Sequence, residues 1–560
     1  MHSFTIKIFN LLLRLFFLLV FTTVLSFHSF AGLIDPPNQD HEDWANFIDR
    51  QMIELMERYD LPNASVSLVA GGKIVFMQGY GYADMKTRTP VNPGNNLFRT
   101  GSVSKIFTWT AVMQLVEKGI IDLDQDVTKY IDFELPRSIH GLNRKGPADP
   151  VTMRHLLSHT GGFEDVIEGL FRLRAEDHLP LRDYLVKHMP ARIFPPGEVM
   201  AYSNYGTALA GYIVENLSGL PFEEYIEKYI FSPLGMINSS FRQPLPPDLH
   251  KNMVGAYRKV DGEFLQGEFE YMPAPAGGLS TSAADMAIFM LAHLGAGIND
   301  GENVQKQRDP VPGSTLEISH NPGGSILSEK TLSRMHSTLF THHPLLGGMA
   351  YGFKEYTING QRVIFHAGSS TLFNSGFYLL PEANAGLFIC YSGGMYTGQV
   401  EVFNAFMQKF FPGKGGLLQE DIFPDAGARP QKNELKGEYQ QSRRIETGPD
   451  KLLNLLNGVM RIRADQKEVL DVDLLITRSA EGLATEEKED GFNIDIFGSN
   501  YRFIELEPGI YKNFEAPALY PFGPLKYIVA DIDPHGRLML ASDGPMTFIR
   551  MPFYATSGFA

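Results

Sequence analysis

Ser102 and Lys105 stand three residues apart at the head of an apolar run, Ile106-Phe107-Thr108-Trp109-Thr110-Ala111-Val112-Met113-Gln114-Leu115-Val116. The spacing of that run predicts a helix. One helical turn then brings both side chains onto the same face. A serine hydroxyl is a poor nucleophile until something takes its proton. A desolvated, neutral lysine one turn away can take it, or can tune another base that does. The helix start adds free N–H groups and the positive dipole end beside any developing oxyanion. Ser-x-x-Lys is the arrangement of serine acyl-transfer enzymes. Alone it is weak, because a chain this long should contain it about once by chance. The same spacing also fits a serine N-cap followed by a solvated lysine.

Two later stretches bear on the choice. Tyr202-Ser203-Asn204 offers a phenol and an amide. A cation close to a tyrosine favours the phenolate, so Tyr202 beside a lysine could act as base on Ser102 and as acid on a leaving group. Asn204 can orient Lys105 or a substrate carbonyl. The other stretch is His366-Ala367-Gly368-Ser369, after the apolar run Val363-Ile364-Phe365. A strand edge carrying Gly368 lets a substrate approach closely, and a backbone N–H there can complete an oxyanion hole with that of Ser102. Taken singly, the first is a common turn tripeptide and the second holds an ordinary structural histidine.

These residues need elements to hold them. Residues 43–59 have the apolar spacing of an amphipathic helix. Residues 64–70 and 73–84 read as strands of a hairpin on Gly71-Gly72. Residues 151–240 look helical, and 296–324 read as an exposed insertion rich in Gly, Asn, Pro and charge. Strands return at 362–365, 376–380 and 386–391, followed by a helix at 399–411. Antiparallel strands bracketed by a first and a last helix imply an α+β layer, with the helical middle inserted as a subdomain. Residues 413–433 form a Pro- and Gly-containing linker. From 434 to 560 short β-like runs suggest a small antiparallel barrel or sandwich. The change in pattern predicts that this part folds separately and that its removal leaves the three motifs intact.

At 560 residues the chain is too long for one ordinary core. Its net charge of −15 argues against nucleic acid or an anionic membrane surface as partner. Residues 1–31, with Lys7 and Arg14 flanking an apolar segment and Ser29-Phe30-Ala31 before Gly32, read as a cleaved signal peptide. Export to the periplasm or beyond follows, with a membrane anchor as the alternative if the segment stays uncleaved. The single cysteine, Cys390, permits no internal disulfide and reads as a buried small hydrophobe. His155 and His159 are four apart, but the glutamate of a zinc-protease motif is missing between them, so no metal and no cofactor is expected. There is no G-x-S-x-G, G-x-G-x-x-G or P-loop.

In this order, Ser102-x-x-Lys105, Tyr202-x-Asn204 and His366-x-Gly368 resemble the serine hydrolases related to class C β-lactamases and low-molecular-weight penicillin-binding proteins. Gly79-Tyr80-Gly81-Tyr82-Ala83-Asp84, Leu97-Phe98-Arg99, the stretch 155–162, Ser232-Pro233-Leu234-Gly235-Met236 and Pro275-Ala276-Gly277-Gly278-Leu279 carry the resemblance over residues 42–412. It implies the penicillin-recognising fold for residues 32–412. It implies Ser102 as nucleophile, Lys105 and Tyr202 as acid/base pair, and the Ser102 and Ser369 N–H groups as oxyanion hole. Many members have Lys-Thr-Gly where this chain has His366-Ala367-Gly368. A mostly neutral imidazole there weakens the case for efficient β-lactam hydrolysis. It favours an ester, amide or peptide substrate, small or drawn from the cell envelope. If His366 meets the substrate, it should become cationic below pH 6 and then attract carboxylates. The competing reading is a penicillin-recognising sensor or envelope binding protein that does not turn over.

Overall fold

The structure is a computed structural model. It describes residues 41–140, 149–295, 325–394, 397–413 and 432–448, residues 430, 451 and 535, and the segments 459–464, 469–475, 498–507, 510–513, 519–520, 523–524, 527–533, 537–542 and 547–551. Residues 1–31, 296–324 and nearly all of 413–433 lie outside the described residues.

The chain opens with helix α1 (His41–Tyr59) and strands β1 (Asn63–Ala70), β2 (Lys73–Asp84) and β3 (Thr89–Pro90). Helices α2 (Ser104–Glu117), α3 (Asn204–Ser218) and α4 (Ala283–His293) occupy the middle. Strands β4 (Gly348–Met349), β5 (Lys354–Ile358), β6 (Gln361–Ser369), β7 (Phe373–Leu380) and β8 (Ala385–Ser392) follow, and helix α5 (Gly398–Phe410) closes the layer. These eight strands form one antiparallel sheet in the order β3-β2-β1-β8-β7-β6-β5-β4. First and last segments meet at its centre, where Val66 pairs with Ile389.

Period-two alternation assigns the two faces. Ala64, Val66 and Leu68 of β1, with Leu387, Ile389 and Tyr391 of β8, join Trp44, Ile48, Val402, Phe403 and Phe406 from α1 and α5. Trp44 meets Phe406 edge-on, with ring centroids 5.1 Å apart. Aromatic side chains of this size contribute about 3 kcal/mol each when fully buried. On the other face Val69, Phe388 and Cys390 pack with α2, α3 and α4. Cys390 is therefore a buried core residue, as its apolar surroundings predict. Both faces are covered, so every residue of β7 and β8 is buried, Asn374, Ser375 and Ser392 included. Helix α2 is also buried from Ser104 to Leu115, the mark of a helix enclosed on all sides.

The C-terminal part is a barrel. Strands β9 (Gly437–Gln441), β10 (Val459–Ala464), β11 (Val469–Leu475), β12 (Gly498–Glu507), β13 (Ile510–Asn513), β14 (Tyr527–Ile532), β15 (Leu538–Ser542) and β16 (Thr547–Arg550) pair in that order, and β16 returns to β9. The sequence left barrel and sandwich open; the Tyr439–Arg550 pairing closes the ring. The strand-like run 491–497 lies outside the described residues, and β12 begins at Gly498.

The barrel does not stand clear of the rest. Met539 and Ile549 share an apolar cluster with Ile193, Phe194, Val199 and Ala201. Tyr527, Val529 and Ala541 pack with Leu346. Between β9 and β10, residues 442–447 run along the loops that lead to Tyr202. The Ser442 hydroxyl donates to the Met200 carbonyl at 2.6 Å. Glu446 and Thr447 donate their N–H groups to the Glu164 carboxylate.

Candidate active site

Ser102 lies in a tight 3₁₀ turn, Gly101–Val103, that runs straight into α2. Gly101 has φ +50°, a left-handed conformation natural only to glycine, and an added Cβ would sit 2.9 Å from the Ser369 nitrogen. The turn is fixed on both sides. The Ser104 hydroxyl donates to the Gly101 carbonyl and accepts from the Leu279 N–H. Just before it, the Arg99 guanidinium donates to the Gly278 and Glu270 carbonyls and to Gln243.

Lys105 is completely buried, whereas Ser102 keeps partial exposure. The Lys105 Nζ donates to Asn204 Oδ1 at 2.8 Å and to the Ala276 carbonyl at 2.6 Å, and stands 3.2 Å from Ser102 Oγ. Burial, then the charges of Arg443 and Lys354, hold its pKa well below the usual lysine range. A neutral amine has two hydrogens and one lone pair. With its hydrogens given to Asn204 and Ala276, the lone pair is left for the Ser102 proton. The Ala276 carbonyl is a backbone group that no side-chain motif announces.

Tyr202 precedes the Ser203 N-cap of α3, whose hydroxyl accepts from the Gly206 N–H at 2.9 Å. Its ring is buried, 5.0 Å from Lys105 Nζ. Two cations not singled out in the sequence face the same ring: Lys354 of β5 and Arg443 of the barrel segment, each at 5.2 Å. The Arg443 Nε in turn bonds Asp165 at 2.7 Å. Despite these cations, burial drives the Tyr202 pKa above its ordinary value; Ser102 and Arg443 pull the other way without prevailing. The expectation of a ready phenolate therefore gives way. The phenol keeps its proton, and its hydroxyl lies toward Ser102.

His159 of the stretch 155–162 is the other residue not assigned to the site from sequence. Its Nδ1 accepts the Ser203 N–H, its ring lies 4.5 Å from that of Tyr202, and burial keeps it neutral. His155 serves a capping box with Thr152. Among the described residues no cluster of His, Cys, Asp or Glu could hold a metal.

The third motif lies within β6. Gly368 backs directly onto the Ser102 turn: a Cβ there would collide with the Thr100 carbonyl and approach the Ser102 nitrogen to 3.0 Å. The Ser102 and Ser369 backbones thus lie against one another. His366 departs from expectation. It is fully buried, its Nδ1 contacts the Ala367 carbonyl at 2.8 Å, and burial with Lys354 and Lys105 nearby holds its pKa well below 6.5. It does not face solvent, and its burial disfavours the cationic form. The idea that it reads substrate charge fails on burial.

A family model described as beta-lactamase matches residues 48–401. Protein flp of Staphylococcus aureus strain N315 is 23% identical over 348 residues, 61% of this chain and 62% of that protein. The chain thus matches less than two thirds of that relative's length. Among solved structures, the octameric penicillin-binding protein homologue from Pyrococcus abyssi aligns with TM-score 0.52 and 21% identity, over 90% of this chain and 99% of that one. A class C beta-lactamase aligns with TM-score 0.50 and 22% identity, over 67% and 98%. At these identities the likeness speaks for the fold.

Proposed function

Because the chain belongs to the beta-lactamase family, we propose that it is a serine hydrolase working through a Ser102 acyl-enzyme on an ester, amide or peptide. Ser102 Oγ attacks the carbonyl as its proton passes to Lys105. The Ser102 and Ser369 N–H groups receive the negative oxygen. Tyr202, which keeps its proton at rest, gives it to the leaving group and regains one from Lys105. Water then attacks the acyl-enzyme through the same groups in reverse.

The observation that carries this reading is the Lys105 amine, buried, low in pKa and directed by Asn204 and Ala276 toward Ser102. No lysine fills the third motif, where His366 is neutral and buried, and this supports esterase, D-amino-acid peptidase or carboxypeptidase chemistry above β-lactam hydrolysis, which should be weak at most.

Intact mass after treatment with a fluorophosphonate should show one adduct, absent in Ser102→Ala. An adduct that survives this substitution overturns the assignment. A panel of p-nitrophenyl esters, D-amino-acid peptides and β-lactams then ranks substrates. A burst of one equivalent with no turnover on every member would make the protein an acylated sensor instead.

A further inference from the structure

Lys354 is a lysine in a place where a lysine is costly. It begins β5, pairs with Phe365 beside His366, and is 2% exposed. Lysines are almost never so buried unless a partner or a function keeps them there. Its Nζ is held between two aromatic rings, 5.2 Å from Tyr202 and 5.8 Å from Phe365. With Lys105 and Arg443 it forms a set of three basic groups, from a helix, a strand and the barrel segment, around one phenol.

Positive charge at this spot acts on both proton carriers in the useful direction. A cation near Lys105 favours its neutral form, the form that accepts the Ser102 proton. A cation near Tyr202 stabilises negative charge on the phenol oxygen as its proton leaves. Resting on the serine-hydrolase reading above, we propose that Lys354 is a positioning residue of this site, whose ammonium keeps Lys105 a proton acceptor and eases proton release from Tyr202. It touches neither Ser102 nor, by its burial, a bound substrate.

The groups that face Lys354 include Lys105 on α2, Tyr202 and His159 on the neighbouring loops, His366 on β6, and Arg443 with its partner Asp165. Burial disfavours the cationic form of both histidines, and Arg443 is salt-bridged to Asp165. Burial, followed by Arg443, brings Lys354 itself down to about 7. It is therefore charged below neutrality and neutral above it. Acylation should rise as Lys105 loses its proton and fall again as Lys354 loses its own. Two interacting amines titrate as a pair, so the two limbs belong to both.

The test is the second-order rate of fluorophosphonate labelling at Ser102 from pH 5 to 10, followed by intact mass in the full chain. Wild type should show an alkaline limb beginning within about one pH unit of neutrality. Lys354→Met should label on the order of 10²-fold more slowly near pH 6.5, without that limb, and converge on wild type near pH 9. Lys354→Arg, charged throughout, should keep the rate at low pH and hold it into the alkaline range. A flat wild-type profile between pH 6 and 9 overturns the proposal without any variant. So does a Lys354→Met protein of wild-type rate and profile, or an equal loss in both variants with the limb unchanged, which would mean packing alone. If Lys354→Met does not fold, an alkaline limb retained in Lys354→Arg is decisive against. A wild-type protein that resists the probe altogether sinks the serine-hydrolase reading first and this inference with it.

Discussion

Arg443 and Asp165 act on Tyr202 with opposite sign, and that sets up a discriminating pair of substitutions. The Arg443 Nε bonds Asp165 Oδ2 at 2.7 Å, with side chains 26% and 6% exposed. Exposed pairs are worth about 0–1 kcal/mol, and removing one partner of a fully buried pair costs about 3–5 kcal/mol. A pair a quarter open on one side falls between, so Arg443→Ala should lower stability by about 1–3 kcal/mol. Asp165→Asn should cost less, because Arg443 keeps a path to water. Their double-mutant coupling should be about 1 kcal/mol in the urea unfolding transition. The kinetic effects should separate. Arg443 favours the Tyr202 phenolate and a neutral Lys105, whereas Asp165 opposes both. Loss of Arg443 should therefore slow fluorophosphonate labelling about tenfold, equivalent to about 1.4 kcal/mol of barrier. Loss of Asp165 should leave labelling unchanged or faster in any variant that remains folded. Equal slowing by both substitutions refutes the electrostatic account and leaves a purely structural link. A wild-type rate in Arg443→Ala removes the barrel from the site altogether.

Gly368→Ala should cost about 1–3 kcal/mol by overpacking against the Thr100 carbonyl and, by displacing the Ser102 N–H, slow acylation about 10²-fold. Unchanged kinetics would show that this approach does not shape the oxyanion site. A chain ending near residue 425 loses Ser442 from Met200, Arg443 from Tyr202 and the apolar cover over Ile193, Phe194 and Val199. It should lose most of its labelling and become less soluble, contrary to the independence that the linker and strand pattern suggest. Full labelling by the shortened chain would show these contacts to be incidental.

The fold was legible where local pattern carries global consequence. The 3.6-residue spacing of 43–59, the Gly-Gly hairpin and the apolar runs near 376–391 became α1, β1–β2 and β7–β8 nearly as read. Less legible was the barrel, whose closure depends on Tyr439 meeting Arg550 across more than a hundred residues. No periodicity within β9 or β16 announces that pairing, and β9 and β13 are too short to stand out from turn-rich surroundings. The contact between the barrel and the Tyr202 loop was invisible for the same reason. Its polar part is carried by Ser442, Arg443, Glu446 and Thr447 in an irregular segment with no spacing to recognise, and its apolar part by Met539 and Ile549, which look like any barrel residue in the sequence.

At the site, sequence located the groups and missed their environment. Ser102 and Lys105 are one turn apart, so their meeting is local and was readable; Asn204 and Gly368 came with their motifs. The states of Tyr202 and His366 were misjudged by starting from side chains in water. Burial decides both, raising the phenol and holding the imidazole neutral. A clue was present for His366: Val363-Ile364-Phe365 has no alternation, which marks a strand covered on both faces and a histidine next to it buried with it. Nothing comparable marks Lys354, which stands in Tyr351-Gly352-Phe353-Lys354-Glu355 like any strand-edge lysine. Its meaning comes from β5 pairing with β6 and from a loop 150 residues earlier placing a phenol above it. A chain of net charge −15 thus gathers Lys105, Lys354 and Arg443 around one ring. Beyond a screening length of about 8 Å the acidic surface has little influence in physiological salt. The charge that governs proton transfer is therefore set by these three groups and Asp165, and the overall composition says nothing about it.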